Sequence, residues 1–139
     1  MACLGCVAAI DVTSARAAQP PLRASEYRQQ ANAICSDFNA FTLPARGAFA
    51  DRLAALLDKG RASLAALRRL RPPHSLAKLH AQIVVTDAGR IDLLASLVAR
   101  LKAGRITISQ LADHVARSPL AADTNALWKR IGALSCVQY

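Results

Sequence analysis

Three groups of residues have types and spacings that could do chemistry. The first is Cys3-Leu4-Gly5-Cys6, a C-x-x-C. A redox role wants such a pair opening a helix after a strand, with a depressed thiol pKa. Haem attachment wants His next, and residue 7 is Val. Lipid attachment at Leu4-Gly5-Cys6 would want a leucine run just before it, and Met1-Ala2-Cys3 stands there instead. The simplest reading places both cysteines in a leader that is later removed. The second group is His80, Asp87 and His114, with His74 apart from them. His80 and Asp87 lie seven residues apart, so they share a helix face, and a Zn or Cu site completed by His114 is conceivable. That spacing defines no metal site, and polar residues at a bundle boundary are the plainer reading, so neither metal nor cofactor is expected. The third group is basic: Arg68, Arg69 and Arg71 after Arg61, and a second cluster of Arg100, Lys102 and Arg105. Both clusters close predicted helices, where cations complement the helix dipole. Arg68, Arg69 and Arg71 are also the candidates for anion binding. No nucleophile–base arrangement stands out.

These residues must be positioned by helices. Hydrophobic residues make up 53% of the chain, but aromatics only 4%, and β-branched residues are sparse outside 83–86 and 106–108. Much of the apolar content is alanine and leucine, which lose little side-chain entropy in a helix. The expected class is all-α. A length of 139 residues suits one domain with one core. Glu26 is the only glutamate, which excludes a carboxylate-bridged di-iron bundle needing several inward Glu and Glu-x-x-His pairs. A net charge of +9 attracts anionic surfaces. Interleaved stacking aromatics are absent, so no specific nucleic-acid partner is expected.

Four amphipathic stretches follow from periodicity. The first runs from Ser25, as cap, to about Phe41, with a stripe of Tyr27, Ala31, Ile34, Phe38 and Phe41. Cys35 lies on the edge of that stripe. The second runs from about Ala45 to Leu70, with Gly60 as a weak point, and Pro72-Pro73 stops it. The third runs from Ser75 to about Ala103, with Gly104 beyond its end. Asp87 interrupts its apolar stripe between Ile83 and Ile91. A buried carboxylate needs a partner, and Arg52, Arg90 and Arg130 are the candidates. The fourth opens on a capping box, Thr107 to Gln110, with Ile106 and Leu111 as hydrophobic staple. Ile108, Leu111, Val115, Leu127, Ile131 and Leu134 form its expected inner face, Trp128 is expected as a packed edge residue, and Pro119 kinks or divides it. Short connections make neighbours antiparallel, so an up-down-up-down antiparallel four-helix bundle over residues 25–139 is expected.

Residues 1–24 read as a leader-like segment and linker. Ala2–Ile10 are apolar but too few to span a bilayer, which takes about 20 residues. Ala15-Arg16-Ala17 supplies a small-x-small cleavage pattern, although no basic stretch precedes the apolar run and Asp11 interrupts the approach. The expected location is therefore secreted or cell envelope. With the leader gone, Cys35 and Cys136 remain, and an even count in an exported chain suggests a disulfide, two buried free thiols being the other reading. Ser135-Cys136-Val137 would have to fold back to reach Cys35.

Glu26–Cys35, Leu67-Arg68-Arg69-Leu70-Arg71-Pro72-Pro73 and a lone cysteine near the end occur here in that order. In this layout the chain resembles uncharacterised small secreted or lipoprotein-like helical proteins of high-GC actinobacteria. The resemblance covers roughly residues 25–139. It implies export and pairing of Cys35 with Cys136, and no catalytic residue. Three functions stay open: a non-catalytic binding or interaction module of the cell envelope, with an envelope protein or anionic surface as partner; a small-ligand or metal-binding bundle; and an enzyme of unknown type. A deep pocket with convergent polar groups favours the second or third, and a solid leucine core the first.

Overall fold

The computed structural model of the chain describes residues 20–138. Those residues form five α-helices and a short 3-10 turn, with no strand among them. The leader-like segment and its Cys3–Cys6 pair lie outside the described residues, apart from its last few positions.

Helix α1 spans Ala24–Asn39. Ser25 is not its cap. Arg23 holds that position, and the Glu26 carboxylate accepts from the Arg23 N–H at 2.8 Å. Leu22, at the end of the expected linker, packs on the core, and its N–H donates to the Arg71 carbonyl at 2.9 Å. Helix α2 spans Phe49–Arg69, starting four residues later than expected. Pro44 and Gly47, the latter with φ 103°, hold the preceding residues in a turn. Helix α3 spans His74–Lys102. Helix α4 spans Ile108–Arg117, and its capping box is formed: Thr107 Oγ1 accepts from Gln110 N–H at 3.2 Å, and Gln110 Oε1 accepts from Thr107 N–H at 2.9 Å. Ile106 and Leu111 are both buried beneath it. Helix α5 spans Leu120–Ile131.

The stretch expected as one fourth helix is therefore two. Pro119 has no N–H to continue α4, and Ser118 takes an extended conformation before it, as the residue preceding proline prefers. The division redirects side chains. Ile108, Val115 and Leu134, expected to point inward, are 52%, 45% and 65% exposed. Trp128, expected at an edge, is only 2% exposed.

Helix α3 is the centre of the fold, packing on α2 along one side and on α5 along another. Ion pairs between exposed groups mark the α2 contacts: Lys102 with Asp51 at 2.8 Å, and Lys59 with Asp37 of α1 at 2.5 Å. Such pairs contribute about 0–1 kcal/mol each, so apolar packing carries the helix contacts. Gly132, in the left-handed conformation with φ 80°, ends α5. The chain then reverses and runs back along α1 through the 3-10 turn Leu134–Cys136.

Most of the buried side chains fall into two clusters, with Leu64 and Thr124 outside both. One gathers Tyr27, Ile83, Trp128, Ile131 and Val137 around α1, α3, α5 and the C-terminal segment. The other gathers Leu53, Leu57, Leu97, Val98 and Leu111 around α2, α3 and α4. No single leucine core joins them.

Candidate functional site

The space where the two clusters face each other is a cavity of about 330 Å³. Its wall takes residues from both: Leu67, Trp128 and Cys136 from one side, Leu57, Ile91 and Leu94 from the other. Ligand pockets run from ~300 to 1,000 Å³. A dry apolar cavity of ~150 Å³ accepts benzene. By that scale this one holds a molecule of about a dozen non-hydrogen atoms.

Gly60 explains part of the opening. It sits mid-way along α2 on the cavity wall, and the nearest atoms a Cβ there would meet belong to Ile91 and Phe38, both at 3.8 Å, ordinary contact. Any larger side chain would project into the space. Its local cost to the helix, roughly 1 kcal/mol against alanine, leaves the room unfilled.

One place on the wall is polar and charged. Arg90 donates to Asp87 at 3.4 Å, one turn earlier on α3, and its other amine donates to Gln138 Oε1 at 2.5 Å. Their side chains are 17% exposed for Asp87 and 29% for Arg90. Burial raises the Asp87 pKa above the ordinary carboxylate value; Arg90 and a hydrogen bond with Thr124 pull against that and do not cancel it. Of the three arginines named as partners from sequence, Arg90 is the one that meets Asp87.

The C-terminal segment forms a wall of the cavity and is anchored at several points. Cys35 and Cys136 are bonded, with Cα atoms 5.0 Å apart. Cys136 Sγ also lies 3.4 Å from the Ala31 carbonyl oxygen. Ser135 N–H donates to Asn32 Oδ1 at 3.0 Å, and Asn39 Nδ2 donates to the Ser135 carbonyl at 2.8 Å. Asn125 clasps Gln138 from both sides: its Oδ1 accepts from the Gln138 N–H at 3.0 Å and its Nδ2 donates to the Gln138 carbonyl at 2.5 Å. The disulfide thus fixes the segment that carries Gln138, and Gln138 fixes Arg90.

His80, Asp87 and His114 are not brought together. His80 Nδ1 and the Tyr27 hydroxyl share a hydrogen bond of 2.8 Å, their rings edge to face at 5.6 Å. Burial lowers the His80 pKa and pushes that of Tyr27 up to about 12, so both stay neutral near pH 7. Asp87 is engaged with Arg90, and His114 is exposed on α4. No cluster of three metal-ligating side chains occurs among the described residues. None of the three histidines lines the cavity.

Arg68 and Arg69 are exposed at the C-terminal end of α2. Arg71 follows the helix, and its carbonyl receives the Leu22 N–H. The second basic cluster is at the far end of α3, beside the start of α2, as the Lys102–Asp51 pair shows. The two clusters do not merge into one patch.

Sequence reasoning singled out Asp87 and the two cysteines but not the cavity that joins them. Gly60 was legible only as a helix weakness; Gln138 gave no signal at all. Compared with protein-family models, curated proteins and solved structures, the chain matches none.

Proposed function

We propose that this chain is a non-catalytic binding domain that holds a small, mainly apolar ligand in the cavity between its two hydrophobic clusters. The carrying observation is the unfilled space between the two clusters: a half-open, mainly apolar cleft with one charged pair, in place of a solid leucine core. This favours the small-ligand reading over a module that works only through its outer surface. Among the described residues the cavity wall offers the uncharged polar groups of Asn39, Ser63, Ser118 and Gln138 and a carboxylate already engaged by arginine, but no histidine. That set suits recognition better than acid–base chemistry.

The domain works outside the cytoplasm, secreted or in the cell envelope. The leader-like N-terminus and the pairing of the remaining cysteines support this. So does the layout shared with small secreted helical proteins of high-GC actinobacteria. No helix among the described residues is long and apolar enough to cross a membrane. Helices α1, α2, α3 and α5 serve as the alternating members of an up-down bundle, with α4 as a side piece. Support comes from contacts that pair Leu22 with Arg71 and Asp51 with Lys102, and from the packing of α5 on α3.

Naphthalene, an apolar probe of suitable size, tests the reading. Carbon–proton spectra of the oxidised protein should show shifts in the methyls of Leu57, Leu64, Ile91 and Leu94, with those of Val85 unmoved. Shifts spread over exposed methyls, or none at saturation, would overturn it.

A further inference from the structure

We infer that the cavity selects an uncharged amphipathic molecule, a hydrocarbon body carrying one hydroxyl or carboxamide head, because the only charged side chains on its wall, Asp87 and Arg90, are a matched pair. This rests on the cavity being a ligand site and adds the class of ligand.

Among the described residues lining the cavity, Asp87 and Arg90 alone carry charge. They lie in contact at 3.4 Å, so the polar end of the cavity is close to neutral. A ligand carboxylate placed there would approach Asp87 as closely as Arg90. A ligand ammonium would meet Arg90 in the same way. In either case one of three charges is left without a partner at a place where Asp87 and Arg90 are themselves largely shielded from water, which is unfavourable.

A neutral head faces no such conflict. Arginine has five N–H donors, and here one amine serves Asp87 and the other Gln138, leaving N–H groups in reserve. A carboxylate has about four acceptor sites, and Asp87 uses one on Arg90. Donors and acceptors therefore stand side by side. A hydroxyl or a primary amide both gives and takes a hydrogen bond, and it complements that pairing without adding charge. The remaining wall, including Ile34, Phe38, Leu64 and Leu94, suits a hydrocarbon body. The volume suits about a dozen heavy atoms in total.

Trp128 supplies the readout. It is the only tryptophan of the chain and it lines the cavity. Four probes with one body and different heads, 1-decanol, decanamide, decanoate and decylamine, are titrated at pH 7 below their aggregation limits while Trp128 emission is followed. Decanol and decanamide should bind at least tenfold more tightly than decanoate and decylamine. Uncoupling the pair should redirect the preference: Asp87→Asn should raise decanoate affinity at least tenfold relative to decylamine, and Arg90→Gln should do the reverse. Decanoate or decylamine binding the natural protein as well as decanol would overturn the inference while leaving the cavity as a ligand site. Failure of all four to bind, with naphthalene also silent, would remove the ligand site itself. Should either variant fail to fold, the four titrations of the natural protein decide alone.

Discussion

Replacing Gly60 by alanine should stabilise the protein, which is unusual for a substitution at a half-buried position. Gly60 lies inside α2 and has ordinary helical backbone, so alanine relieves a propensity cost of about 0.8–1.0 kcal/mol. The new methyl meets Ile91 Cγ1 and Phe38 Cε2 at 3.8 Å, normal contact distance, and displaces no backbone. Partial burial of that methyl adds a few tenths, up to ~0.8 kcal/mol. The expected gain is about 1–1.5 kcal/mol. Small proteins lose roughly 1–3 kcal/mol of stability per molar urea, so the midpoint should rise by about 0.5–1 M with an unchanged slope. Gly132→Ala serves as the opposite control. Its φ of 80° and a Cβ position 3.4 Å from Arg28 Cδ make alanine strained there, and a loss of about 1 kcal/mol is expected. Urea unfolding followed by circular dichroism measures both. A Gly60→Ala variant less stable than the natural protein would show that no room exists beside Gly60 and would refute the description of the cavity wall.

The Cys35–Cys136 bond closes a separation of 101 residues, so replacing both cysteines by serine should cost up to ~4–5 kcal/mol in the chain-entropy picture. Hydrogen exchange should rise first in α5 and residues 133–138, and an equal rise in every helix would contradict a local anchoring role. Asp87 carries a raised pKa in the fold, so the folded state holds its proton to higher pH than the unfolded chain does; its contribution is fully present below the ordinary carboxylate range and is lost as pH rises through the folded value. Urea unfolding from pH 3.5 to 7 should therefore show the natural protein losing stability relative to Asp87→Asn, and parallel curves would refute the assignment. Thr107→Ala removes the α4 capping box and should cost about 1 kcal/mol, seen as faster amide exchange confined to α4; unchanged exchange there would show that packing alone holds that helix.

Helix content and most helix ends were legible in the sequence, because alanine-leucine periodicity and proline stops act locally. Thr107 with Gln110, Gly104 and Pro72-Pro73 mark boundaries whose physics lies within a few residues. At the start of α1, Ser25 is the better capping residue by type, yet Glu26 reaches the Arg23 N–H and fixes the start there. The fourth helix was harder. Pro119 signals a break, but whether the chain bends or restarts depends on how α4 and α5 pack on α3, and the exposure of Ile108 and Val115 follows from that packing. Asp87 announced a buried polar group by interrupting a stripe, and choosing Arg90 from three arginines needed only helix spacing, three residues along. The cavity was illegible for a physical reason: it is a property of inter-helix distances, set by side chains from every part of the fold, and periodicity reports faces and not the space between them.

The central claim, that the space beside Gly60 binds a small apolar molecule, is tested most directly by calorimetric titration of naphthalene into the natural protein and into Gly60→Leu. Leucine at this position extends from the α2 wall into the cavity, and its helix propensity favours folding. The account predicts one molecule bound by the natural protein and at least a tenfold weaker affinity in a variant that unfolds at the same or higher urea concentration. Equal affinity in the two proteins, with the variant folded, would contradict it.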